Sequence, residues 1–241
     1  MEAGEPDDLD LTKFYTFTVW MAGDRAMALK LAVEVVRAAP ELGFAGWARA
    51  FLGPLVSSRT RIDRPTILSA LDDLLRTELT ISPGDHPQIQ REPRRLHVLQ
   101  WELKRACLFA VMRGVATGPR AVFILVHLLG YSPVDVATML GVTPNSVRIH
   151  MTRATKILND YLGARCEHLA PGNTCRCDTR LGIALERGFV RWPEHGDEMP
   201  QGPAFTGAHP DAGSLYRSLP GFGLDPGATE ILAAARRVSP G

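Results

Sequence analysis

The densest group of reactive side chains is Cys166, His168, Cys175 and Cys177, four residues within the twelve-residue stretch CEHLAPGNTCRC. Three thiolates and one imidazole can close a tetrahedral site of the kind that holds structural zinc. Thiolate donors favour zinc or another thiophilic metal over magnesium or calcium. The intervening APGN supplies a turn that folds the CxC end back toward the CxH end. These spacings place neighbouring ligands more tightly than paired CxxC knuckles do, so ordinary reduced cysteines in a loop and a redox disulfide stand as alternatives. Cys107, on a helical face near Phe109, reads as a small buried apolar residue.

A second chemical constellation lies just upstream, in YSPVDVATMLGVTPNSVRIHMTRATKIL, residues 131–158. Ser132 can cap a helix, Pro133 suits its first turn because its missing N–H has no intrahelical partner there, and Asp135 follows near the orphan amides. Gly141, free to take positive φ, ends this helix after Leu140. Thr143 and Pro144 repeat the start signal at once, which leaves a turn so short that the two helices must cross steeply: a helix-turn-helix. Val147, Met151, Ala154 and Leu158 recur at helical spacing as one buried stripe. Asn145, Ser146, Arg148, His150, Thr152, Arg153 and Lys156 lie off it, with amide, hydroxyl and cationic groups suited to base edges and phosphates. A merely solvated charged face is the alternative; two capped helices, a glycine turn and a basic second helix together favour DNA.

The stretch from Gly118 to Leu162 resembles region 4 of bacterial sigma factors, closest to the extracytoplasmic-function (ECF) group. The resemblance is carried by Gly130, Tyr131, Ser132, Asp135, Val136, Ala137, Leu140, Gly141, Val142, Ser146, Val147, Arg148, Met151, Arg153, Ala154 and Leu158. It implies that this domain binds the −35 promoter element with RNA polymerase core as partner, with Arg148, His150, Arg153 and Lys156 as contact candidates. The chain departs from the pattern at Ile149, Thr155 and Ile157, where polar or basic residues are frequent. Downstream, Cys166, Pro171, Asn173, Cys175, Cys177 and Arg180 resemble the cysteine-rich extension that follows region 4 in some ECF-like factors, with Thr174 in place of a proline. That resemblance implies a metal-sensing role, and the family as a whole leaves room for an anti-sigma partner.

Net charge over the 241 residues is only +1, yet it is unevenly placed. Residues 1–90 carry 9 basic and 13 acidic side chains, residues 91–165 carry 11 and 4, and residues 166–241 carry 7 and 9. Positive charge is thus concentrated around the helix-turn-helix, as a polyanionic partner requires. No basic segment followed by an apolar run marks a secretory signal, and AVFILVHLLG from Ala121 is about half the length needed to cross a bilayer. Four cysteines are too few for a disulfide scaffold. A cytoplasmic protein with no membrane partner is expected. No P-loop, Rossmann glycine motif, HExxH or nucleophile–base pair occurs, so no catalytic residues and no enzymatic activity are expected.

The elements that must position these groups read as helices throughout, because alternating period-two patterns are nearly absent. Residues 9–22 and 25–39 form two helices divided at Gly23 and Asp24, the second with Ala28, Leu31, Ala32, Val35 and Val36 on one face. Residues 44–59 suggest a third, interrupted near Gly53 and Pro54. ILSALDDLLRTEL from Ile67 suggests a fourth, with Leu68, Leu71, Leu75 and Leu79 as its stripe. This half more weakly resembles region 2 of ECF factors, through AGDRAMALKLAVEVVRAAPEL and the tryptophan-led WARAFLGPLVSSRTR, although the family's acidic residue and glutamine are missing near Leu29 to Val33. Trp47 and Phe51, at i and i+4, read as a core pair in preference to a base-stacking pair.

Residues 80–95, with three prolines and a glycine, read as a flexible linker. A long helix from Leu96 follows, whose Leu99, Leu103, Ala106 and Ala110 can face the helix beginning at Pro119; Arg94, Arg95, Lys104 and Arg105 could touch phosphate or polymerase, with solvated charge the commoner reading. RLGIALERGFV from Arg180 is one more helix. Six prolines and seven glycines between Pro193 and Gly227 argue against a packed core there. ATEILAAARRV from Ala228 forms a terminal helix, with Ile231, Leu232 and Ala235 apolar, that either frays or docks back as an internal brake.

The expected protein is all-α. A region 2-like helical domain (1–79), a linker (80–95) and a helix-turn-helix domain (96–163) are followed by a cysteine-rich extension (164–192) and an irregular tail (193–241). Its expected function is that of an ECF-like sigma factor. A sigma-derived regulator without promoter melting and a metal-responsive protein-interaction module are the alternatives.

Overall fold

A computed structural model describes residues 8–57, 69, 71–73, 86–92, 96–190, 207–219 and 226–237. The fold is all-α, and among the described residues the β-type pairing is a single bridge between Cys166 and Cys175. None of these helices is long and apolar enough to cross a membrane. The chain divides into two compact units that cut across its linear order: Met1–Ile62, Val115–Ala154 and Phe222–Gly241 form one, and Asp63–Gly114 with Thr155–Gly221 the other.

In the first unit, α1 (Asp8–Ala22) and α2 (Arg25–Ala38) are separated at Gly23, whose φ of 70° lies in the left-handed region that glycine alone adopts without strain. Asp24 then caps α2, its Oδ1 accepting from the Met27 amide at 2.7 Å. Ala28, Leu31, Ala32, Val35 and Val36 are all buried, as their spacing requires. α3 (Phe44–Ser57) brings Trp47 and Phe51 against Phe14, with ring centroids 5.6 and 6.0 Å away. Both are fully buried, and the Trp47 indole N–H donates to the Ala39 carbonyl at 2.8 Å, so the pair belongs to the core.

The same unit holds the helix-turn-helix as far as Ala154. A helix α6 (Thr117–Phe123) continues as a π-helical turn over Ile124–Leu128. Arg120 fixes its start by donating to the Met21 carbonyl at 2.6 Å and to Val115. The terminal helix α11 (Pro226–Arg237) packs on α1 and α2 through buried Ala228, Leu232 and Ala235, whereas Ile231 points to solvent.

In the second unit, α4 (Pro87–Arg91) is a short helix inside the stretch read as linker. Ile89, its apolar anchor, is buried with Leu99 and Leu103 of α5 (Leu96–Arg113) and with Leu181 and Ala184 of α9 (Cys177–Glu186). A single anchoring residue leaves no periodic trace in a sequence. The Leu99–Leu103 stripe, with Ala106 partly buried beside it, therefore packs on α4 and α9, where the sequence suggested the helix beginning at Pro119. Asp72, within the predicted fourth helix, accepts from Tyr161 at 2.9 Å and Arg165 at 2.6 Å. Leu68, Leu75, Leu79, Arg94 and Arg95 lie outside the described residues.

Part of the Pro/Gly-rich tail is built into this unit, contrary to its composition. Asp211 caps α10 (Ala212–Arg217), Tyr216 is buried with its hydroxyl donating to the Leu108 carbonyl at 2.7 Å, and the Ala212 amide donates to Asn159 Oδ1 at 2.8 Å. A few specific bonds and two large side chains, Leu215 and Tyr216, outweigh a composition that averages poorly for folding.

Candidate functional site

The first candidate surface is the helix-turn-helix. α7 (Pro133–Leu140) is capped by Ser132, whose Oγ accepts from the Asp135 amide at 3.2 Å while its hydroxyl donates to Asp135 Oδ2 at 2.7 Å. Gly141 closes α7 with φ 65°. Thr143 then accepts from the Ser146 amide at 3.1 Å, opening α8 (Pro144–Gly163) two residues later. Val147, Ala154 and Leu158 are fully buried and Met151 partly so, which turns the opposite side of α8 outward.

The seven polar candidates divide by position. Asn145, Arg148, Thr152, Arg153 and Lys156 are exposed, with Lys156 in an open ion pair to Asp160 at 2.7 Å. Ser146 is half-buried and its hydroxyl lies 2.9 Å from that of Thr143, within the cap. His150 is also half-buried: a Cβ placed on Gly118 would lie 3.4 Å from its Cε1, and its Nδ1 is buried with no hydrogen-bond partner among the described residues. His150 thus wedges α8 against the start of α6.

α7 is held from its far side by α3. Phe44 stacks on Tyr131 at 5.3 Å and 7° between planes, and Arg49 donates to the Thr138 and Met139 carbonyls at 2.8 Å each. These carbonyls are among the last of α7, where a cation also meets the negative end of the helix dipole. No motif announced this brace, because Arg49 and Met139 are 90 residues apart.

The second candidate is the cysteine cluster. Cys166 and Cys175 are joined by backbone bonds, Cys175 donating to Arg165 and Glu167 to Cys175, each at 3.2 Å. Asn173 locks the turn between them by donating to the carbonyls of Gly163 at 2.8 Å and Cys166 at 3.1 Å. Cys177 Sγ lies 3.7 Å from His168 Nε2, and a Glu167 carboxylate oxygen joins these two in a group whose atoms are all within 4.8 Å of one another. Glu167 was not singled out by the sequence; its place between Cys166 and His168 was the available signal.

Burial raises the thiol pKa values of Cys166 and Cys177 and pushes Cys175 up to about 11. Burial is also the largest cause holding His168 down to about 4, followed by Lys104 and His209. Burial raises the Cys107 thiol pKa, with smaller contributions from Cys175 and Cys166. Lys104 is 2% exposed, over the Trp101 ring at 5.1 Å and within 3.1 Å of Ser218 Oγ. It is neither a solvated charge nor a phosphate contact. Arg105, by contrast, is paired with Glu102. Among the described residues, Cys177 is the one thiol that joins His168 and Glu167 in that close group, while Cys166 and Cys175 are paired through their backbones and are not part of it; the donors brought together are one thiol, one imidazole and one carboxylate, a mixed set of the kind zinc accepts.

Residues 105–158 match the family model for sigma-70, region 4. This match spans the last part of α5 and the whole helix-turn-helix up to Leu158, and it supports a sigma-factor-like, DNA-binding role for that segment. The chain has no match among the curated proteins or the solved structures.

Proposed function

We propose that this protein is an ECF-like sigma factor that directs RNA polymerase core to promoters by reading the −35 element with α8. The observation that carries the reading is the exposed Asn145, Arg148, Thr152 and Arg153 on a helix set by two caps and a glycine turn, within a segment that matches sigma-70 region 4. Guanidinium and amide groups there supply phosphate and base-edge contacts, while the helix rests on its buried stripe. Cys166, His168, Cys175 and Cys177 hold zinc or another thiophilic metal, with Glu167 as a competing donor, and metal occupancy regulates the factor. Transcription from a matched promoter with purified core polymerase, with and without zinc, tests this. Metal-responsive, polymerase-dependent transcripts are expected; specific binding to an operator without polymerase contradicts it.

The burial of Trp47 and Phe51 favours one further reading: a sigma-derived regulator that retains the helix-turn-helix and does not melt promoters. Permanganate reactivity separates the two. A sigma factor exposes unpaired thymines in the polymerase complex; a non-melting regulator leaves the duplex closed.

A further inference from the structure

The outward stripe of α8 is polar except at its centre. Asn145, Ile149, Thr152, Arg153 and Lys156 follow one another at helical spacing directly opposite the buried Val147, Ala154 and Leu158, and all five are exposed. Ile149 is 43% exposed and stands one turn from Asn145 on one side and from Thr152 and Arg153 on the other. An isolated exposed isoleucine usually needs no explanation. This one occupies the middle of the face that would enter the groove, flanked by hydrogen-bond donors on both sides, where a polar residue would serve solvation better.

In a major groove, each base pair presents a distinct set of donors and acceptors, and thymine alone among the four bases adds an apolar group, the C5-methyl. A branched aliphatic side chain has nothing to offer phosphate, amine or carbonyl groups, and it gains free energy only by removing apolar surface from water. Resting on the reading of α8 as the −35-binding helix, we propose that Ile149 is a specificity residue that selects thymine at the base facing the centre of α8, through its methyl group. Asn145 and Arg153 then contact the bases and phosphates to either side.

The test uses the full-length chain on core polymerase. Duplexes randomised over the −35 region are selected, and each thymine of the selected sequence is replaced in turn by deoxyuridine, which deletes only the methyl. Removing one buried methyl is expected to weaken binding about 3- to 10-fold at one position. Ile149→Ala is expected to bind the thymine and uracil duplexes equally there, and Ile149→Val to keep part of the difference. Ile149 is exposed and alanine favours helix, so the variant keeps its fold. Specific binding in which Ile149→Ala preserves every uracil penalty, or in which wild type shows none, overturns this inference alone. Failure to select any sequence overturns it together with the promoter-reading function on which it rests.

Discussion

Replacing Arg49 with alanine should loosen the helix-turn-helix from behind without touching the face turned to DNA. The wild-type guanidinium donates through Nε to Met139 and through a terminal nitrogen to Thr138, both at 2.8 Å, at the C-terminal end of α7. A cation in that position is worth about 0.3–1 kcal/mol through the helix dipole, and each hydrogen bond adds about 0.5–1.5 kcal/mol before discounting. Arg49 is exposed, so solvent screening takes the lower end of both ranges, leaving about 1–2 kcal/mol. At about 2–4 °C per kcal/mol for a chain of this size, calorimetry should show melting lowered by about 2–8 °C. Amide exchange should locate the loss: Gly141 and Val142, which bond to Thr138 and Ala137, should lose protection before the amides of α2 do. Arg49→Lys should recover only part of the stability, because one ammonium cannot span two carbonyls in a fixed fork. Unchanged melting in Arg49→Ala, or a lysine variant equal to wild type, would refute this account of how α3 braces α7.

Three further outcomes are expected. Gly141→Ala forces a β-carbon into a left-handed backbone and within 3.6 Å of the Arg49 guanidinium carbon, so denaturant unfolding should show a loss of about 1–2 kcal/mol. Tyr216→Phe removes the hydroxyl that donates to the Leu108 carbonyl; a loss of about 0.5–1.5 kcal/mol and earlier proteolysis within 207–219 are expected, and an undisturbed cleavage pattern would count against the docked tail. Zinc at one hundred times its dissociation constant should stabilise the wild-type chain by about 2.7 kcal/mol, an effect that chelator reverses and Cys177→Ser removes; identical melting with and without metal would argue for ordinary reduced thiols.

What could be read from the sequence was what local chemistry decides. Ser132, Gly141 and Thr143 each satisfy helix-end groups within three residues of themselves, so the helix-turn-helix appears without any knowledge of the rest of the chain. The same holds for Asp24 and the buried face of α2. An apolar stripe, however, says that it will be covered and not by what: Leu99 and Leu103 are covered by Leu181, about eighty residues away, after the chain has turned at the cysteine loop. Lys104 looked like surface charge because its burial depends on Trp101 together with Ser218, 114 residues later. His150 lay off the buried stripe by spacing, yet Gly118 leaves a gap that its ring fills. In the tail, composition averaged over 35 residues concealed the short segment around Tyr216 that makes specific bonds.

The salt dependence of duplex binding tests the central claim most directly, because it counts the phosphates that the protein neutralises. Affinity of the polymerase-bound chain for a selected −35 duplex, measured from low to moderate salt, should fall steeply. Arg148→Ala with Arg153→Ala should weaken binding and flatten the logarithmic slope by up to about 2, close to one for each phosphate that no longer meets a guanidinium. An unchanged slope and affinity in that double variant would show that α8 does not meet DNA.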